Sequence, residues 1–380
     1  MNLPKTVTKS QSIVTMYSLL NPNQLYNPPV HRHNQKHRLI PKISGVSSLF
    51  LGIYLLLMVL VTKPISHENT DISAVVIASR DCLGYIGLAI VMFFGTNWSF
   101  LDSSNGLTIN LNCPDHNPTF NSYVKFHRLV KKLILLVTSI YYYLVYDLFF
   151  IALDRRYFIE KSYLSRYMIH YVFNLLLGFL AILAHSGAIY LFNIIYDGII
   201  ILNGSFKCFN QQLIDLHGKR PSLDQLGQLR CYYSYLIQST LKFDQFARYE
   251  ICRLYINSIS AYLFGLLGLF IHKNEKTTII SIILIFLFDS LIVIVLTLNS
   301  IMLNKNCHQE LETLYELSLP MRSAIYRSEV ILFYNRLSKN DVGLTFLNIF
   351  TLKPNFVLSI VTLALTIFLA IPSFIPLILK

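Results

Sequence analysis

Charge is what this sequence has least of. Only 14% of its 380 residues are Asp, Glu, Lys or Arg, against roughly 25% in an ordinary soluble chain. Cysteine is scarce as well. Cys82, Cys113, Cys208, Cys231, Cys252 and Cys307 are scattered, and no two stand as CxxC. A disulfide framework or a zinc site is therefore not expected. Residues 1–43 are polar and lack the apolar stretch of a signal peptide, so the first span is expected to direct insertion. There is no Walker loop, no HExxH, no GxSxG and no metal-ligand cluster. No enzyme is expected, and no cofactor or metal.

What is present is hydrophobicity. Hydrophobic residues make up 54% of the chain, aromatic ones 13%, and the mean hydropathy is +0.50. Together with the low charge, this describes a multi-span membrane protein with the lipid bilayer as its solvent. The net charge of +12 is spread through the loops. It reads as membrane topology and not as affinity for nucleic acid.

The chain divides accordingly. Segment 1–43 carries Pro28, Pro29 and a His/Arg/Lys cluster, His31-Arg32-His33 through His37-Arg38, best explained as a basic flank against anionic lipid. Seven apolar segments follow. They are Ser44–Thr62, Ile72–Leu101, Leu133–Leu153, Tyr167–Leu191, Leu254–Ile271, Ile279–Leu303 and a last one within 354–380. The expectation is an all-α protein with seven transmembrane helices. Arg32, Lys36, Arg38 and Lys42 precede span 1 and Lys63 alone follows it, which favours a cytosolic N-terminus and an extracellular C-terminus. Both sequons, at Asn97 and Asn203, then fall at inner span ends and are expected to be unused.

Two inner segments have helical apolar spacing. Residues 205–253 hold Leu213, Leu216, Leu223, Leu226, Leu229, Tyr233, Leu236 and Ile237. His217-Gly218-Lys219-Arg220-Pro221 among them reads as a helix stop and turn. Residues 306–338 hold Leu311, Leu314, Leu317, Ile325, Val330, Leu332 and Phe333. The domains expected are 1–43, spans 1–6 over 44–303 with an extension at 205–253, anchor helices over 304–350, and the last helix over 354–380. The anchor segments are expected to form a cytosolic helical core that holds subunits together.

The last span has no charged residue between Lys353 and Lys380. Asn355, Ser359, Thr362, Thr366, Ala370 and Ser373 nevertheless fall within an arc of about 80° on one helix face. Two causes account for such a stripe. Small residues let helices approach closely in a membrane. Alternatively, the stripe lines an aqueous path.

Charges inside spans are costly, and each marks a candidate function. Asp147 stands in span 3 beside Tyr141, Tyr142, Tyr143 and Tyr146. His170 and Asn174 lie on span 4, Tyr262 on span 5 and Asp289 midway along span 6. Aromatic rings, a few hydroxyls and a carboxylate in the outer half of a bundle are what a small organic ligand requires. The tyrosines also suit an interfacial belt or packing. Asp154-Arg155-Arg156 imitates the acidic-basic triplet of G-protein-coupled receptors, but this orientation places it outside the cell. The last span also lacks their Asn-Pro-x-x-Tyr pattern, so a metabotropic receptor stands as the alternative.

The chain resembles the insect gustatory receptor family. That family's signature is Thr-Tyr, five hydrophobic residues, then Gln-Phe. The matching positions here are Thr366-Ile367, Phe368 to Pro372, then Ser373-Phe374. Thr366 and Phe374 match; Ile367 and Ser373 depart, as in a divergent member. Gly343-Leu344-Thr345-Phe346-Leu347-Asn348 resembles the lead-in to the last span, and Leu254-Tyr255-Ile256-Asn257 resembles the start of span 5. The resemblance implies a tastant-gated, non-selective cation channel, homotetrameric or heterotetrameric with other gustatory receptor subunits. It implies a pore lined by Ser359, Thr362, Thr366 and Ala370, with Ser373 and Phe374 at its outer gate. It further implies tastant binding among outer portions of spans 2 to 6, where Asp147, Tyr143, Tyr146, His170, Asn174, Asp289 and Tyr262 lie. The plasma membrane of a sensory neuron, and an aversive tastant, complete the expectation. An odorant receptor of the related insect family is a further alternative.

Overall fold

A computed structural model describes residues 36–62, 70–95, 120–137, 139–140, 164–216, 222–271, 276–318, 323–338 and, with short gaps, 342–370. The chain divides into a unit Met1–His37 and a unit Arg38–Lys380; the second carries the fold described here. Helix α1 is Lys36–Thr62. Helix α2 is Thr70–Ile90 and continues as a π-turn, Val91–Gly95. Helix α3 occupies 120–137. Helix α4 is Leu164–Leu216, α5 Leu223–Ile271 and α6 Lys276–His308. The short helices α7, Leu311–Ser318, and α8, Ala324–Leu337, follow. A small hairpin, β1 Thr345–Phe346 and β2 Phe350–Thr351, leads into the last helix, α9, from residue 354.

Helix α1 begins eight residues before the expected span. Apolar windows locate the greasy stretch, whereas backbone geometry continues into the polar flank. Pro41 is tolerated there because the hydrogen bond it forgoes would reach back only to His37, at the helix start. The 53 residues of α4 and 49 of α5 make rods of about 80 Å and about 75 Å. Both exceed the roughly 30 Å of a hydrocarbon core by more than half their length. Among the described residues, three stretches are long and apolar enough to cross a membrane: Leu39–Leu57, Leu176–Leu216 and Ser290–Glu316.

The turn between α4 and α5 falls where the sequence stops being helical. Helix α4 ends at Leu216, and Ser222 opens α5 with a reciprocal cap. Gln225 N donates to Ser222 Oγ at 3.2 Å, and Ser222 N donates to Gln225 Oε1 at 2.9 Å. Ser-x-x-Gln supplies both partners, so two otherwise unpaired amide donors are satisfied at the helix start.

The main core lies where α4 and α5 run together towards this turn. Leu191, Ile195, Ile199, Leu202, Phe206, Phe209 and Leu213 follow one another at steps of three or four along α4, and each is fully buried. Burial of one such side chain contributes about 1.5–3 kcal/mol. Phe206, Phe209, Tyr233 of α5 and Phe333 of α8 form a four-ring cluster with centroids 5.1–6.1 Å apart. Arg230 of α5 ties α8 from the rim through Glu329 at 2.5 Å. Residues 205–253 and 306–337 thus pack on each other as one helical core. Its place in the cytosol is taken up under Proposed function.

Helix α6 is joined to α4 by a buried ladder of amides. Asn203 Nδ2 donates to the Asn299 carbonyl at 3.0 Å, and Asn306 Nδ2 donates to Asn203 Oδ1 at 3.0 Å. Asn210 Nδ2 donates to the Asn306 carbonyl at 2.9 Å. Each helix contributes two asparagines seven residues apart, which places them on one face two turns apart. Asn203 is 0% exposed, so its sequon is unavailable to a modifying enzyme. A second, smaller apolar cluster, Leu51, Tyr85, Leu177, Ala181 and Ala184, joins α1, α2 and α4.

Candidate functional site

Among its described side chains, two hold helix α9 to the main core. Phe356 and Ile360 pack against the main core. Asn355, Ser359, Thr362 and Thr366 are exposed, and Ala370 is half-buried. The polar stripe therefore points away from the protomer. Its hydroxyls donate to carbonyls one turn back: Ser359 to Asn355 at 3.0 Å, Thr362 to Leu358 at 2.8 Å and Thr366 to Thr362 at 2.8 Å. A hydroxyl whose proton is used internally presents its lone pairs outwards. Such a face accepts hydrogen bonds from water and coordinates cations, and it needs no proton donor from a neighbouring helix. Leu358, Leu363, Leu365 and Leu369 are exposed beside it. Ser373 and Phe374 lie outside the described residues.

The junction between α9 and the core is an aromatic hinge. The Tyr255 ring of α5 stands edge-on to Phe346 at 6.0 Å and to Phe356 at 5.7 Å. Phe356 also contacts Phe346 at 5.8 Å and Phe350 at 6.2 Å. The Tyr255 hydroxyl bonds Thr297 of α6. Beneath it, Asp244 of α5 clamps the hairpin, accepting from Thr345 N at 2.6 Å and from Thr345 Oγ1 at 2.8 Å. Burial pushes the Asp244 carboxyl above its ordinary range, and the two Thr345 bonds and nearby Arg248 pull it part of the way back. Asn304 of α6 donates to the Val342 carbonyl at 2.6 Å, and the Leu337 carbonyl meets His308 Nδ1 at 2.7 Å. The hairpin turn itself uses left-handed backbone at Leu347, φ 51°, and Asn348, φ 61°. Asparagine accepts that conformation readily; leucine does so under strain.

The expected ligand residues are less fully placed. Asp147, Tyr143 and Tyr146 lie outside the described residues. His170 and Asn174 are on α4 and Asp289 is on α6, with their side chains outside the described set. Tyr262 is half-buried and bonds Ser290 across α5 and α6. Sequence reasoning did not single out Tyr85. Its ring lies 5.7 Å from His185, and its hydroxyl is buried with no hydrogen-bond partner among the described residues. A polar tip left open beside an apolar cluster is the kind of group that orients a small ligand. Single tyrosines in apolar runs carry no sequence signal, so this one was invisible. The Asp244–Thr345 clamp spans a hundred residues and was equally invisible. The asparagine pairs, at equal spacing of seven, were a signal available to inspection.

No protein-family model matches the sequence, and no curated protein sequence matches it. The fold, however, is similar to that of solved structures. The insect olfactory receptor OR5 from Machilis hrabei aligns with TM-score 0.64 at 12% identity, over 95% of this chain and 97% of that chain. The same receptor in complex with eugenol aligns with TM-score 0.61 at 12% identity, over 98% of this chain and 93% of that one. At this identity the likeness is one of architecture, and it extends over nearly the whole length of both chains. The chain has the helical fold of an insect olfactory receptor.

Proposed function

We propose that this protein is a chemoreceptor subunit, a tastant-gated non-selective cation channel of the gustatory type. The observation that carries the reading is the outward-facing hydroxyl stripe of α9, in a fold similar to a receptor that has been seen with a small aromatic ligand bound. Four copies, identical or mixed, would turn these stripes towards a common axis and line it with Ser359, Thr362, Thr366 and Ala370. The N-terminus is cytosolic and the C-terminus extracellular in this reading. The core of 205–253 and 306–337 is then the cytosolic anchor from which α9 rises. Phe374 at the outer mouth narrows and dewets the closed pore, since an ion cannot pass without its hydration shell. The ligand, a small organic and aversive compound, enters among the outer helices near Asp147, Tyr143, Tyr146 and Tyr85. Opening requires the ligand to favour the open arrangement by differential affinity. The Asp244–Thr345 clamp and the Tyr255 hinge would keep the base of α9 fixed while its outer part tilts.

The test is electrical. Phe374→Ala at confirmed surface expression is expected to conduct without ligand. Thr366→Cys is expected to lose current on treatment with a charged thiol reagent. A silent Phe374→Ala together with an insensitive Thr366→Cys would mean that α9 does not line a pore. Current that vanishes under G-protein inhibition would favour the metabotropic alternative.

A further inference from the structure

Helix α3 and the adjoining face of α4 carry a polar cluster that conduction does not employ. Tyr123 and His127 lie one turn apart on α3, their ring centroids 4.3 Å apart. Lys207 of α4 places its Nζ 4.0 Å from the centre of the Tyr123 ring. The helices come this close at Gly204, where a Cβ would stand 2.8 Å from the Phe120 ring. One turn further along α3, Lys131 is fully engaged by Asp197, at 2.7 Å to each carboxylate oxygen. Lys207 has no carboxylate partner among the described residues; its contact is the Tyr123 ring.

Two buried atoms around this cation, Tyr123 Oη and His127 Nδ1, have no hydrogen-bond partner among the described residues. Leaving such groups unpaired costs about 1–3 kcal/mol each. Burial first, and the charge of Lys207 second, hold His127 below the ordinary imidazole range. Burial first, and Tyr196 second, push Tyr123 up to about 12, so its hydroxyl keeps its proton. An ammonium with no carboxylate partner among the described residues, beside a phenol hydroxyl, suits a group with several anionic oxygens.

The surroundings identify its carrier. Phe126, Leu129, Leu133, Leu136 and Ile140 are each at least 50% exposed and share one face of the helix beside this cluster. Exposed Lys125, Arg128 and Lys132 flank that stripe on its other side. A free anion has no use for the stripe, whereas acyl chains do. We propose that Lys207, His127 and Tyr123 bind the phosphate of an anionic phospholipid whose acyl chains lie along the exposed stripe of α3. The proposal rests on the membrane reading above, and it is independent of conduction.

The experiment uses the full chain in neutral detergent, titrated with dioctanoyl phosphatidic acid, dioctanoyl phosphatidylcholine and inorganic phosphate. Phosphatidic acid is expected to bind tightest. Lys207→Gln is expected to weaken it about tenfold or more, since a charge-assisted contact is lost. Lys242→Gln, at an exposed lysine of α5, is expected to change it less than about twofold. Inorganic phosphate at equal concentration is expected not to compete. Equal affinity for phosphatidic acid in Lys207→Gln and the parent chain would overturn the site. Competition by inorganic phosphate would overturn the lipid assignment. If Lys207→Gln does not survive purification, Tyr123→Phe removes one hydroxyl only, and an unchanged affinity there would equally overturn it.

Discussion

Asp244 is a buried carboxyl whose partners are both supplied by Thr345, 101 residues later. Removing it leaves the Thr345 amide without an acceptor inside the core. Asp244→Ala is therefore expected to destabilise by about 2–3 kcal/mol, read as a lowered midpoint of thermal unfolding in detergent. Asp244→Asn keeps an acceptor for the amide and is expected to cost about 1 kcal/mol or less. The pH dependence follows from the raised pKa. A carboxyl held above its ordinary value of 3.8 contributes most when protonated, below that value, and its contribution is lost as pH rises through the folded-state pKa. Melting curves from pH 4 to 7 are expected to show this decline in the parent chain, and Asp244→Asn is expected to flatten it. The asparagine ladder is testable by a double-mutant cycle. Asn203→Ala and Asn306→Ala share the bond between them, so their effects are expected to be non-additive by about 0.5–3 kcal/mol. Strict additivity would mean that the two amides are independent.

The long rods α4 and α5 come close together at Gly198. A Cβ there would stand 2.2 Å from Cε2 and 2.5 Å from Cζ of Phe243. Neither helix can bend away cheaply here, because each is packed in the main core on both sides of this point, α4 at Ile195 and Leu202 and α5 at Ile237 and Ile251. Gly198→Ala is expected to lower stability by about 1–3 kcal/mol through overpacking. Adding Phe243→Leu, which withdraws the ring, is expected to restore part of the loss; a double variant no better than Gly198→Ala would show that the clash lies elsewhere. Helix α9 presents the opposite case. Among its described side chains, Phe356 and Ile360 pack against the core, and Asn355, Leu358, Ser359, Thr362, Leu363, Leu365, Thr366 and Leu369 are exposed. In the channel reading proposed above, this exposed face is the one that moves when the pore opens.

The described part of α9 exposes leucines and hydroxyls side by side. Leu358, Leu363, Leu365 and Leu369 of α9 surround hydroxyls that lipid would not solvate. In the channel reading proposed above, partner helices would cover the leucines and a shared water column would solvate the hydroxyls. The purified, ligand-responsive protein is accordingly expected to have a mass several times that of one chain. An active particle of single-chain mass would refute assembly, and with it the pore.

The sequence by itself was enough to determine the helical architecture, helices long and apolar enough to cross a membrane, the break between α4 and α5, and the exposed polar stripe of the last helix. Each of these rests on local periodicity or on summed composition, which neighbouring residues decide among themselves. Phe206, Tyr233 and Phe333 could each be read as apolar positions on a helix, yet nothing in their spacing showed that they meet. The tertiary structure alone decided that Asp244 grips Thr345, that Tyr255 packs against Phe356 of α9, that the Tyr85 ring meets His185 and that Lys207 stands over the Tyr123 ring. These contacts join residues tens to more than a hundred positions apart. Their energies come from burial and pairing across helices, and such pairing leaves no period in the chain that makes it.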